Sequence, residues 1–417
     1  MRHRAYHAAL IVSAALGLAC MAVPVAAQQP QQAPAAAQLP PVPTPGQPTT
    51  EEASKLKGIA SPPFAAAPDK LPLAQLKLPK GFKIEVYASG IPDARSLRIG
   101  DKGTLFVSNR VQDKVYAVVD KDGKREVKII ASGLDRPNGL AFKDGTLYIA
   151  EGTKVSKLEK IEDNLDKPPQ PVVIYSDFPN HQSHGWKFMA LGPDNKLYVN
   201  VGAPCNICIP PESNSQIRRL NLDGSGAEPY IRGNRNSVGF DWNPATKELY
   251  FTDNGRDWLS EELPNDELNR VTKMGQHFGF PYCHQGDIPD QQYGWGHSCS
   301  EFVPPVALLG PHAAALGMRF YTGHMFPAKY HDAIFIARHG SWNKTSKIGG
   351  DIYVVYLNKD GSVKSQEPFM TGFIQNNNYV GRPVDVQPMK DGSLLVSDDY
   401  DGAVYRITYG NGPFAER

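Results

Sequence analysis

Short runs of β-branched and aromatic residues, each opening after a turn signal, recur along most of the chain. Gly103-Thr104-Leu105-Phe106-Val107-Ser108-Asn109 is echoed by Gly145-Thr146-Leu147-Tyr148-Ile149-Ala150-Glu151. Lys196-Leu197-Tyr198-Val199-Asn200 and Glu248-Leu249-Tyr250-Phe251-Thr252-Asp253 follow, then Ala333-Ile334-Phe335-Ile336-Ala337-Arg338 and Ser393-Leu394-Leu395-Val396-Ser397-Asp398. Such runs read as strands, because branched and aromatic side chains pack well on a pleated, half-buried surface. Several are followed by a second strand, as in Lys114-Val115-Tyr116-Ala117-Val118 and Asp351-Ile352-Tyr353-Val354-Val355. Six turn–strand–turn–strand units at spacings of roughly 40 to 85 residues predict an all-β fold, a six-bladed β-propeller around a central channel. A β-sandwich is the competing architecture, and the constant order within the units argues against it. The widest gap, from 258 to about 326, separates the fourth and fifth units and reads as a loop excursion over one face.

The two ends do not follow this pattern. Met1-Arg2-His3-Arg4, the apolar stretch from 8 to 25 and the small residues Val25-Ala26-Ala27 together read as a secretory signal peptide over 1–27. Pro24 and the small-residue ending favour cleavage over a retained anchor, and Gly17 stands where a lipoprotein signal ending at Cys20 would carry leucine. Residues 28–72 are rich in Pro, Ala and Gln without apolar periodicity, which predicts a disordered or extended tether ahead of a propeller domain spanning 73–417. The expected location is the periplasm or the exterior.

Composition removes some functions and leaves others. The 44 basic and 43 acidic residues give a net charge of +1, so nothing electrostatic favours nucleic acid. Four cysteines remain beyond the leader, and export makes disulfides their default state. Cys205–Cys208 with Cys283–Cys299 is the local pairing; the other two arrangements and a four-cysteine zinc site stay open. Ile209 follows the Cys-x-x-Cys pair where attached haem requires histidine, so haem is excluded.

Propellers bind ligands where loops converge at the channel mouth, which makes polar residues flanking the strands candidates. Asn180-His181-Gln182-Ser183-His184-Gly185-Trp186-Lys187 sets two imidazoles ahead of the third unit's strand, and neutral imidazole suits proton abstraction near pH 7. Packing or hydrogen bonding is the plain alternative for both. Arg232-Gly233-Asn234-Arg235-Asn236 supplies a planar fork that matches a carboxylate. Thr252-Asp253-Asn254-Gly255-Arg256-Asp257 offers carboxylate and carbonyl oxygens of the kind Ca²⁺ takes, although Asp-Asn-Gly is also an ordinary turn. Asn265-Asp266-Glu267-Leu268-Asn269 reads as a solvated acidic loop of the excursion. Arg338-His339-Gly340-Ser341-Trp342-Asn343-Lys344 and Gly381-Arg382-Pro383 bring further cations, and Asp398 and Asp399 close the expected set. Three arginines leading from different blades to one channel point to an anionic ligand.

Asn138-Gly139-Leu140-Ala141-Phe142, His184-Gly185-Trp186-Lys187, Arg232-Gly233-Asn234-Arg235-Asn236, Phe251-Thr252-Asp253-Asn254-Gly255 and Gly279-Phe280-Pro281 occur in an order that resembles the soluble quinoprotein sugar dehydrogenases, the glucose/sorbosone dehydrogenase family. The Cys-x-x-Cys and His339-Gly340-Ser341-Trp342-Asn343 look most like its sorbosone-type branch. The resemblance, from about 78 to 408, implies a propeller that holds pyrroloquinoline quinone (PQQ) and Ca²⁺ at the channel mouth and oxidises a sugar. By the same resemblance His184 is the base and His181 its rival, while Arg235, Asn236 and Arg382 contact the cofactor. Gly255 and Arg256 fall where backbone carbonyls hold calcium. Asn138 stands for a glutamine contact, Arg338 or Lys344 for a lysine, and Val384 replaces a second arginine. The expected partners are a small sugar and an electron acceptor, either a quinone or a cytochrome. A calcium-dependent lactonase or esterase and a non-catalytic binding propeller are the alternatives.

Overall fold

The computed structural model describes residues 46–48 and 50–410, so the leader over 1–27 lies outside the described residues. Six four-stranded antiparallel sheets follow one another as the blades of a propeller. Their first strands are Leu97–Ile99, Gly139–Lys143, Met189–Leu191, Gly239–Trp242, Ala315–Phe320 and Pro383–Pro388. The runs that reveal the repeat in the sequence are therefore the second strands, such as Leu105–Ser108 and Leu249–Asp253, not the innermost ones. These second strands are buried along all or nearly all of their length, which is why they read as nearly unbroken apolar runs.

The chain closes on itself. Phe82–Ser89 pairs with Ala403–Tyr409 in antiparallel register, from Phe82 opposite Tyr409 to Ser89 opposite Ala403. The earliest strand thus becomes the outer edge of the last blade. Phe82 then packs edge-on against Phe326, Phe369 and Tyr409 at ring separations of 4.8 to 4.9 Å.

Three expectations from the sequence change. Asp266 and Glu267 lie on Asn265–Val271, the third strand of blade 4, and both are buried. The excursion is shorter than its sequence gap, running over 272–306 between the third and fourth strands of that blade, with Ala307–Pro311 as the fourth. The Cys283–Cys299 disulfide staples it, and Cys205–Cys208 closes the loop of blade 3. In the proline-rich stretch, the part from 50 to 72 is not a free tether. It carries a helical turn, Glu51–Ser54, and Ala66 N–H donates to the Asp401 carbonyl at 2.8 Å.

The first strands crowd one another near the axis, and glycine makes this feasible. A Cβ on Gly239 would lie 2.1 Å from the Leu316 carbonyl oxygen of the next blade, and one on Gly139 2.6 Å from the Met189 nitrogen. Gly239→Ala is therefore expected to destabilise the fold by about 2 kcal/mol or more, because the obstacle is backbone and cannot change rotamer. Thermal unfolding checks this; an unchanged midpoint would mean that the blades tolerate spreading.

Candidate active site at the channel mouth

The loops entering the first strands and leaving the second strands meet at one end of the channel. They enclose a cavity of about 310 Å³. Of the residues singled out in the sequence, His184, Arg235, Asn236, Asn254, Gly255, His339 and Arg382 stand in its wall. The other candidates lie elsewhere. Arg338 pairs with Asp351 and stacks on Tyr353. Lys344 holds the Glu261 carbonyl and Glu262 at 2.6 Å. Arg256 turns its guanidinium to Asp290 at 2.6 Å. Asn138 is buried, accepting from Arg95 Nε and donating to the Lys187 carbonyl, each at 2.9 Å. Val384 is buried among Phe240, Leu316 and other apolar residues, which leaves no room for a guanidinium.

The two histidines of the third blade separate cleanly. His181 accepts from Asn214 Nδ2 at 2.6 Å and is absent from the cavity wall. His184 sits in left-handed backbone, φ 50°, against Gly202, where an added Cβ would lie 2.6 Å from its own. Its Nδ1 meets the Ala203 carbonyl at 2.8 Å, so Nδ1 carries the proton and Nε2 is left with a lone pair. Burial, with Arg235 beside it, pulls the imidazole down to about 3, so it is neutral at pH 7. Lys187, buried under the loop, donates to the Gly185 carbonyl at 2.6 Å and braces the turn.

Aspartates hold the arginines from behind. Asp253 accepts from Arg235 N–H at 2.8 Å, Asn236 N–H at 2.7 Å and the Ser237 hydroxyl at 3.1 Å. Asp398 accepts from Arg382 N–H at 2.9 Å. Neither aspartate is part of the wall. The Arg235 guanidinium pairs with Asp257 at 3.0 Å and holds Asn206.

The wall contains residues that the sequence reading overlooked. Arg95 pairs with Asp399 at 2.8 Å, and Asp399 also receives His339 Nε2 at 2.8 Å. Arg110 lies over the Trp186 ring, 4.7 Å from its centroid. The guanidiniums of Arg110 and Arg382 have no carboxylate partner within 4.0 Å among the described residues. His312 and Trp342 complete the lining. A positional signal existed for Arg95: it precedes the first strand of its blade, as Arg235 and Arg382 do theirs. It becomes visible only once the first strands are located ahead of the apolar runs.

A family model described as TrAA12-like matches residues 76–410. The chain belongs to the TrAA12-like family. The recognition made from the motifs therefore holds at family level, without singling out the sorbosone-type branch. An uncharacterized protein of Borreliella burgdorferi is 33% identical over 350 residues, covering 80% of this chain and 91% of that protein. Among solved structures, the iodide structure of the Trichoderma reesei carbohydrate-active enzyme of family AA12 superposes with a TM-score of 0.70. It is 19% identical and covers 85% of this chain and 100% of its own. The holo pyranose dehydrogenase PQQ domain of Coprinopsis cinerea gives 0.69 at 19% identity, covering 84% and 98%. The apo soluble aldose sugar dehydrogenase of Escherichia coli gives 0.61 at 16%, covering 79% and 99%. These three establish a shared fold.

The buried acids around the mouth predict a pH dependence. Burial, with Asp253 nearby, raises Glu267 from 4.5 to about 8. The folded chain thus keeps a proton that the unfolded chain releases, so stability falls as pH rises through this window. The loss is absent below about pH 4.5 and complete above about 8. Glu267→Gln is expected to flatten the decline in melting temperature between pH 6 and 8. An unaltered slope would mean that Glu267 is ionised in the fold.

Proposed function

We propose that the chain is an exported quinone-dependent oxidoreductase that oxidises a sugar or sugar aldehyde. One observation carries the reading. Four arginines, Arg95, Arg110, Arg235 and Arg382, line one cavity with a neutral imidazole; among the described residues its Nε2 has no hydrogen-bond partner, and two of the four guanidiniums lack a carboxylate partner. Buried cations without counterions favour an anionic ligand.

The residues present fit a planar tricarboxylate quinone. The Arg110 and Arg382 guanidiniums bring positive charge for carboxylates, and Asn236 Oδ1 is buried without a hydrogen-bond partner among the described residues. Arg235 and Asn236 would hold another edge. For calcium, no group of three or more His, Cys, Asp or Glu is arranged as ligands among the described residues. The Gly255 and Arg256 carbonyls accept no hydrogen bond among those residues, which leaves them available to a hard cation. Asp266 accepts the Gly255 N–H at 3.0 Å; burial raises its carboxyl to about 7, and a cation bound beside it would favour the ionised form. When bound, the quinone supplies the two-electron acceptor for which no side chain of the wall can substitute.

The chain's own residues handle the proton and the substrate. His184 takes the hydroxyl proton at Nε2, while the Ala203 carbonyl fixes the tautomer through Nδ1–H. Trp186 and Trp342 provide flat apolar walls against which a sugar ring can lie. Export is supported by the leader pattern over 1–27 and by two disulfides.

Titration of the apo-protein with PQQ, with and without Ca²⁺, followed by dye reduction with a panel of sugars, tests the proposal. Micromolar or tighter binding is expected, and none at those concentrations overturns it. Arg382→Ala should weaken quinone affinity by about tenfold to a hundredfold. His184→Gln should lower turnover by about 10²- to 10⁴-fold while leaving quinone affinity unchanged. Equal losses of both in His184→Gln would make that residue a ligand contact and not the base.

A further inference from the structure

Residues 50–66 precede the segment that defines the family, yet they reach its cavity. Gly58 and Ile59 stand in the wall with His339 and Arg382. The Ile59 carbonyl accepts from Arg382 Nη1 at 3.1 Å. The same guanidinium donates to the carbonyls of His339 and Gly340 at 3.2 and 2.9 Å. Arg382 thereby ties this segment to the loop of blade 5, across the mouth.

The segment is fastened at its ends and loosely seated between them. At one end the Gly46 carbonyl accepts from Asn206 Nδ2 at 3.3 Å, and Asn206 also holds Arg235. At the other, Ala66 N–H donates to the Asp401 carbonyl at 2.8 Å. Between Thr50 and Ala66, two hydrogen bonds join it to the propeller among the described residues: Arg382 to Ile59 and Gln112 to Pro63. Lys57, Gly58, Ala60, Pro63 and Phe64 are exposed. A crevice of about 460 Å³ opens between residues 60–63 and the Arg110–Lys114 loop. Few buried contacts and few hydrogen bonds mark a segment that opens without unfolding the rest.

We infer that residues 56–64 form a strap that gates the cavity, with the Ile59 carbonyl as its latch on Arg382, and so sets the size of molecule that reaches His184 and His339. The strap acts on access to the cavity and does not depend on which reaction runs there. It makes substrate size a property of a segment that lies outside the family's own boundaries. A Cβ at Gly58 would meet nothing within 4 Å, so a larger side chain there adds bulk at the mouth without forcing the fold.

The test uses ligand-free protein, so a failure of the quinone proposal leaves it intact. His184 Nε2 and His339 Nδ1 have no hydrogen-bond partner among the described residues, so each is open to acylation. Their modification by diethyl pyrocarbonate is followed by peptide mass mapping, with His297 on the excursion as the internal reference. A chain lacking residues 28–64 retains every residue of the six sheets; His184 and His339 should react about tenfold faster in it than in the full chain. Gly58→Trp in the full chain should slow both, with His297 unchanged. If the shortened chain folds, equal rates in it and the full chain overturn the inference. If it does not fold, equal rates in Gly58→Trp and the unsubstituted chain overturn it.

Discussion

Asp253 sits at the end of a second strand and accepts hydrogen bonds from the backbone of Arg235 and Asn236, which lead into the first strand of the same blade. The arrangement recurs around the ring. Ser108 accepts from Ser96 N–H, Glu151 from Asp135 N–H, Asn200 from Phe188 N–H and Asp398 from Arg382 N–H. Each joins the last polar position of one strand to the segment entering its inner neighbour. Buried N–H groups in such turns need acceptors, and a strand-end side chain supplies one without lengthening the loop. Where the entering segment carries an arginine, the same bond fixes the functional group. Blade 5 departs from the pattern: its entering N–H, of Ala315, goes to Asp266 on the neighbouring blade. In that blade the arginine ending the second strand, Arg338, is used for packing against Asp351 and Tyr353.

This bracing has an electrostatic cost that helps shape the cavity. Asp253 and Asp398 are driven up to about 6 and about 8 by burial, despite their backbone hydrogen bonds. Cations held just above them moderate that cost, while burial in turn lowers Arg382 and Arg110. Asp253, Asp398 and Asp399 lie behind the wall, while within it four guanidiniums outnumber the carboxyls of Asp257 and Asp266. Such a layered charge distribution presents a positive face to the cavity from a chain whose net charge is only +1. Composition therefore says nothing about the sign of the ligand; the layering decides it.

The same layering explains what the sequence disclosed and what it hid. The second strands are buried on both faces, so their apolar runs announced six blades directly. The first strands are short, and three of them contain glycine, as in Gly239–Trp242, so they gave little periodic signal; without them Arg95 had no evident address. Asp266 and Glu267 looked solvated because alternating polar residues on a third strand resemble a loop when their burial comes from the next blade. Closure by Phe82–Ser89 and the crossing of the mouth by Ile59 depend on contacts hundreds of residues apart, which no local pattern encodes. Arg338 and Lys344 were placed at the site by motif, yet their partners Asp351 and Glu262 claim them.

Of the three histidines in the cavity wall, His312 has both ring nitrogens engaged, by the Ser260 carbonyl and Asn343; His184 and His339 differ in what holds them, and this difference bears on which can act as base. His184 is backed by a neutral carbonyl and faces Arg235, whereas His339 is backed by the Asp399 carboxylate and faces Arg382. Both imidazoles are pulled down to about 3, by burial first and by those guanidiniums second. An anion bridging Arg235 and Arg382 would cancel the second cause for both and return basicity to each ring. Asp399, however, is itself committed to Arg95 at 2.8 Å, so part of its charge is already spent and His339 gains less from it than a lone carboxylate would give. His184 has no such competing partner, and its left-handed backbone is held by the close approach of Gly202. Strain of that kind persists where the surrounding structure over-determines a side chain's position. Under the proposed oxidation, geometry therefore favours His184 for the substrate proton, and an anion on the arginines would govern when that proton can be taken.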